Sequence, residues 1–211
     1  MNQKNQPSEQ TNGRERLLEA AIRLFGRDGF DATSVRAVAD EAGVSWGLVR
    51  FYFESKDGLR DAVEERVMSG YLQRVKDASR VTSREDLASL IESQTEGLSD
   101  VASYLRRAIM EERSIALEFL RELLTTTEAL NADVRAQFPD EPALWDPVRI
   151  VVQRLGYLLL APQIEALLGR DLFTVEELKR RNFQDERITQ LSRAGLLAER
   201  STKHKKTSRN R

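Results

Sequence analysis

Between Leu17 and Phe25 the apolar residues Leu17, Leu18, Ala21, Ile22 and Phe25 recur at the spacing of one face of an α-helix. Asn12, followed three residues on by Glu15, has the form of a capping box. A first helix is therefore expected from Asn12, with the polar, proline-containing residues 1–11 as a disordered tail. Val35, Val38 and Ala42 repeat the helical spacing over a shorter second element. Ala39 is small enough for a neighbouring helix to cross closely. Gly43 stands where the second helix must end, because glycine takes the left-handed conformation without a Cβ penalty. Ser45 then offers an N-cap oxygen to a third helix from Trp46 to near Phe53, and Ser55 caps a fourth, amphipathic over 55–80 through Leu59, Val63, Val67 and Leu72.

The same spacing continues to the end of the chain. Ser83 and Asp86 open a helix to about Glu96, Ser99 caps another, and Ser114 begins a long one through Gln137 with Ile115, Phe119, Leu123, Leu124 and Leu130. Residues 138–147 contain three of the five prolines and form a loop. The most apolar helix follows, from about Asp146 to Leu168. Arg149, Gln153, Arg154 and Glu165 interrupt it, and Pro162 should kink it. A helix apolar nearly all round is buried on most sides, here by the body and a second copy. Shorter helices are expected near Thr174–Arg181 and Asp185–Glu199, before a basic disordered tail over 200–211. No stretch alternates as a strand does, so the fold class is all-α.

The two short helices around Gly43 have the form of a helix-turn-helix, whose second helix enters a DNA major groove. With Leu48, Val49 and Phe53 turned inward, Trp46, Gly47, Arg50 and Phe51 remain for the groove. Gly47 allows close backbone approach, and the two aromatic rings could press on thymine methyls, though one of them could equally pack on the first helix. Ser34, Arg36 and Asp40 face outward from the second helix. Lys4 and Arg14 could reach DNA as an arm, or simply be solvated.

Gly43-Val44-Ser45-Trp46-Gly47-Leu48-Val49 and Tyr52-Phe53-Glu54-Ser55-Lys56-Asp57-Gly58-Leu59 resemble the tetracycline-repressor (TetR) family of bacterial regulators. The run Leu17–Phe25, closing on Gly29–Val35, is similar to that family's first helix and its link to the second. The resemblance covers residues 14 to 65. It implies a three-helix DNA-binding head (12–60), joined by the fourth helix to a helical ligand-sensing and dimerisation body (61–199). Ser34, Arg36 and Ser45 would then lie against DNA, with Arg36 on a guanine edge or a phosphate, while Tyr52 and Lys56 would anchor phosphates. Arg50 stands where the family usually has tyrosine. The implied partners are a double-stranded operator, a second copy of the chain and a small-molecule effector, with no membrane.

Charge adds one qualification. Residues 1–60 carry nine basic and nine acidic side chains, 61–199 carry eighteen and twenty-five, and 200–211 six and none. A neutral head depends on a few well-placed cations instead of a broad basic field. Cysteine is absent, and the single histidine, His204, lies in the basic tail. No nucleophile motif or phosphate loop is present, so neither an enzyme nor a bound cofactor or metal is expected. No uninterrupted apolar run approaches the ~20 residues of a membrane span, and no apolar signal opens the chain, so a cytoplasmic location is expected. Tyr104, Phe119, Trp145, Gln153 and Tyr157 are the candidates for an effector pocket, each also readable as ordinary core or interface. The competing reading is a protein-interaction module whose helix-turn-helix no longer binds DNA.

Overall fold

The computed structural model describes residues 6–81, 83–140 and 146–182. All regular structure among them is helical: α1 (Gln6–Arg27), α2 (Val35–Ala42), α3 (Gly47–Phe53), α4 (Lys56–Ala78), α5 (Arg84–Gln94), α6 (Leu98–Met110), α7 (Ser114–Leu130), α8 (Ala132–Gln137), α9 (Pro147–Leu168) and a helical stretch over 175–182. Trp145, Lys4, the 185–199 helix and the basic tail lie outside the described residues.

α1 is the axis of the molecule. Leu17, Leu18, Ala20, Ala21, Leu24 and Phe25 are all buried, so its apolar surface is wider than the one stripe read from the spacing. The extra face is covered by α6, while α2, α3 and α4 cover the other. Gly26 permits this approach: a Cβ there would stand 2.9 Å from the backbone nitrogen of Tyr104. Arg107 of α6 then donates to the carbonyls of Gly26 (3.2 Å) and Arg27 (2.8 Å), closing the C-terminus of α1. α1 begins six residues earlier than the Asn12 box suggests. Pro7 falls in its first turn, where a missing backbone N–H costs no helical bond.

Other boundaries follow their caps. Ser55 Oγ accepts from Gly58 N at 2.9 Å, and Ser83 and Asp86 form the reciprocal capping box expected of them. Ser99 is not a cap, because left-handed Gly97 starts α6 two residues earlier. The long helix expected over 114–137 breaks at Asn131, whose amide donates to the Thr127 carbonyl and whose backbone leaves helical geometry.

α9 packs on α7 and α6, yet only Val151 and Ala161 in it are buried. Val148, Val152, Leu160, Leu167 and Leu168 are exposed, so this one copy does not surround the helix. By length and composition α9 could also cross a membrane. Its scattered charges break every apolar run without much lowering the mean hydropathy. Pro162 lies inside it and cannot bond the Leu158 carbonyl. Arg106 of α6 takes that carbonyl at 2.8 Å.

Tyr104, fully buried at the centre of the body, meets Glu64 of α4 (3.3 Å) and Arg113 (3.2 Å) through its hydroxyl. Burial pushes its pKa, and that of half-buried Tyr71, above the ordinary tyrosine value. A raised folded value means that stabilisation is complete below the unfolded pKa of ~10 and is lost as pH rises through the folded one. Phenolate absorbance from these two rings is therefore expected to rise together with loss of helical circular dichroism. Ionisation of both in a still-folded chain would contradict their burial.

Candidate nucleic-acid interface

The turn between α2 and α3 is built from backbone and caps. Ser34 Oγ accepts from Ala37 N at 3.0 Å and starts α2. Gly43 ends it at φ 63°, with its N–H on Asp40 O (3.1 Å) and that of Val44 on Ala39 O (3.0 Å). This paired closure requires a left-handed residue, which is the role expected of Gly43. Arg16 of α1 donates to the Gly43 carbonyl at 3.3 Å, tying the turn to the axis. Ala39 is fully buried, as close crossing demands. Trp46, not Ser45, holds the N-cap position of α3 and gives no side-chain cap, so the helix starts one residue later than expected; Ser45 Oγ accepts only from Gly47 N, at 3.4 Å.

α3 divides cleanly. Val49 and Phe53 are buried and Leu48 is half-buried, holding the helix on the head. On the opposite side Trp46 is 63% and Phe51 71% exposed. Neither packs on α1, which removes that alternative for both rings. Gly47, Arg50, Arg36, Ser34 and Ser45 are also exposed, and Arg36 and Arg50 have no side-chain partner among the described residues. Two unpaired guanidinium groups and two bare aromatic rings thus share the outer surface of the α2–α3 unit. Such a surface offers donors for base edges or phosphates and apolar faces for thymine methyls.

The phosphate-anchor candidates sit at the edge of this surface and are half-buried. Tyr52 stacks edge-on against Phe51 and Phe53, with ring centres at 5.0 and 6.1 Å. Lys56 Nζ lies 4.4 Å from the Phe30 ring centre and donates to the Asp31 carbonyl at 3.3 Å. The ammonium is held in place before any ligand arrives and keeps protons to donate. Arg14, the other arm candidate, is turned over the Phe53 ring at 5.5 Å. One residue escaped the sequence reading. Gly58, in the first turn of α4, faces the Phe53 carbonyl so closely that a Cβ would lie 2.1 Å from that oxygen. The glycine is required by contact between α4 and the end of α3, and only the spatial arrangement reveals it.

Residues 17–63 match the family model described as bacterial regulatory proteins, tetR family. The match places a TetR-type helix-turn-helix in the head. The chain is 33% identical over 126 residues to the transcriptional regulatory protein RaaS of Mycobacterium tuberculosis, covering 57% of each chain. To the probable transcriptional regulator YttP of Bacillus subtilis it is 29% identical over 123 residues, 54% of this chain and 56% of that one. The chain spans about half the length of the curated relatives it matches. A TetR-family regulator from a Rhodococcus species superposes with a TM-score of 0.53 at 15% identity, covering 85% of this chain and 98% of the other. At that identity the likeness shows the fold alone. These proteins are named as transcriptional regulators.

The four described effector-pocket candidates of the body do not come together. Tyr104 and Phe119 are buried in the core, while Gln153 and Tyr157 are exposed on α9, where Tyr157 lies under Arg181 at 4.6 Å. The sequence shows aromatic residues at helical spacing, but not which face of each helix is covered.

Proposed function

We propose that the chain is a ligand-responsive transcriptional repressor that binds a pseudo-palindromic operator as a homodimer and is released by a small-molecule effector. The observation that carries the DNA-binding part is the outer face of α3, with exposed Trp46 and Phe51 flanking unpaired Arg50. Large apolar rings left bare on a short helix mark a contact surface. In this reading Ser34, Arg36, Ser45, Gly47, Tyr52 and Lys56 complete the interface. Arg50, in place of a tyrosine, joins Arg36 and Lys56 as a third cation of this interface.

The dimer is supported by α9. One face is tied to the body through Arg106 on the Leu158 carbonyl and Glu165 on the backbone N–H of Leu172, while Val148, Val152, Leu160 and Leu167 remain bare. A second copy would cover them and set two recognition helices one DNA turn, ~34 Å, apart. The protein would work in the cytoplasm, where the chromosome is, and not in a membrane.

Selection of fragmented genomic DNA on the purified protein, at two salt concentrations, tests the reading. One inverted repeat should be recovered. Fragments of unrelated sequence, all lost together at the higher salt, would leave only counterion-driven binding and favour the protein-interaction module.

On the recovered repeat, Arg36→Ala should relax selectivity at one base step and cost ~1–3 kcal/mol, whereas Lys56→Ala should weaken all sequences and lower the salt slope by about one unit. Gel retardation on matched and mismatched duplexes distinguishes them. Unchanged selectivity in the first variant would remove Arg36 from base reading.

A further inference from the structure

A guanidinium drawn partly out of water needs a carboxylate or several acceptors to offset its lost hydration. Arg74, near the end of α4, has neither among the described residues. The neighbouring charge that acts on it is another cation. Arg66 and Arg74 both reach over Gly70, where a Cβ would stand 3.4 Å from one guanidinium and 3.9 Å from the other. Burial, with repulsion from Arg66, lowers the Arg74 pKa from its ordinary value. Arg66 is answered by Glu15 at 3.5 Å, and Arg74 is left as a half-buried, uncompensated charge.

What surrounds it points to a ligand. Arg74 closes one end of a cleft of about 230 Å³ between α4, α5, α6 and the 175–182 stretch, walled by Ala78, Leu87, Leu90, Ile91, Leu98 and Leu178. Among the described residues three other polar side chains line it, and each already donates within the protein. Gln94 bonds Asp77 (3.0 Å), Thr95 bonds the Ile91 carbonyl (2.5 Å), and Asn182 bonds the Leu178 carbonyl (2.7 Å). No carboxylate among the described residues lines this cleft. On its other side Arg74 borders a cavity of about 290 Å³ toward α1, where Glu19, Glu96 and Asp100 stand with Arg23 and Arg66. None of those acids forms an ion pair with Arg74.

We infer that this cleft is the effector site and that it takes a small monocarboxylate with an apolar tail, the carboxylate on Arg74 and the tail between Leu87, Leu90, Ile91 and Leu98. The planar fork of arginine matches a carboxylate in two parallel hydrogen bonds. The cleft lies below the ~300 Å³ at which pockets for drug-sized molecules begin, so the tail is short. Such a ligand would touch α4, which carries the head, and α6, which abuts α1. It would therefore bias the head to the extent that it prefers one arrangement of those helices. This inference rests on the body being a sensor, as proposed above.

Calorimetric titration of the full chain with sodium octanoate, 1-octanol and sodium acetate tests it. Octanoate should bind, with octanol (tail alone) and acetate (head alone) each weaker by about tenfold or more. Arg74→Gln should reduce octanoate to the level of octanol, and Leu90→Trp, which fills the cleft while keeping the arginine, should abolish octanoate binding. Arg74→Gln should also melt no lower than the parent, because it removes an uncompensated charge. Equal binding of octanoate and octanol, octanoate binding unchanged by Arg74→Gln, or a variant that melts well below the parent would each overturn the inference. A protein that retains its operator but binds no octanoate would sink this site and keep the regulator reading. Octanoate bound through Arg74 by a protein that retains no DNA would do the reverse.

Discussion

Gly58→Ala is expected to abolish operator binding and to destabilise the head at or above the top of the ~1–3 kcal/mol range for overpacking. The added Cβ would lie 2.1 Å from the Phe53 carbonyl oxygen, and neither partner is the movable end of a side chain. Relief requires the first turn of α4 to separate from the last turn of α3. Those turns are joined through Ser55, whose N–H bonds Phe53 O at 2.6 Å and whose hydroxyl caps α4 at Gly58 N. Glu54, held at φ 62° between them, has little freedom to absorb the movement. α3 would rotate, carrying Trp46, Arg50 and Phe51 with it. Urea unfolding and gel retardation together check this. Wild-type affinity at wild-type stability would mean that α4 can retreat without turning the recognition helix.

Arg113→Leu is expected to cost about 3 kcal/mol, the lower end of the range for breaking a buried ion pair. Arg113 and Glu64 form a salt bridge with side-chain exposures of only 17% and 22%, and both reach the Tyr104 hydroxyl. Removing the cation leaves the Glu64 carboxylate poorly hydrated, with the tyrosine as its remaining partner. The double variant Glu64→Leu/Arg113→Leu should regain much of the loss, because the desolvated charge goes with its partner. Melts of the two single variants and the double variant decide it. A cost below ~1 kcal/mol for Arg113→Leu would class the pair with screened surface bridges. The pair joins α4 to the start of α7, so the single variant should also loosen the helix that links head and body.

The head was readable in the chain because its signals are local. Ser34, Gly43 and Ser55 act within four residues of themselves, and the inward set Val38, Val49 and Phe53 follows from the helical period alone. The outward set Trp46, Arg50 and Phe51 follows by the same period. The body resisted reading because its decisive contacts span great sequence distances. Arg107 closes a helix eighty residues before it, Arg106 answers the carbonyl freed by Pro162, and Tyr104 finds Glu64 forty residues away. Periodicity says that Tyr104, Phe119 and Tyr157 each lie on an apolar stripe. It does not say that the first two meet the core and the third remains outside.

The sequence by itself determined an all-helical chain, the helix-turn-helix with its caps, and the face that α3 turns outward, because helix periods and capping oxygens act over one or two turns. Only the tertiary structure decided that α1 is covered on both sides, that Gly58 must have no side chain, and that Arg74 has no counter-charge among the described residues beside an apolar cleft. Each depends on the distance between helices that are remote in the chain, and that distance is set by the packing of the whole core.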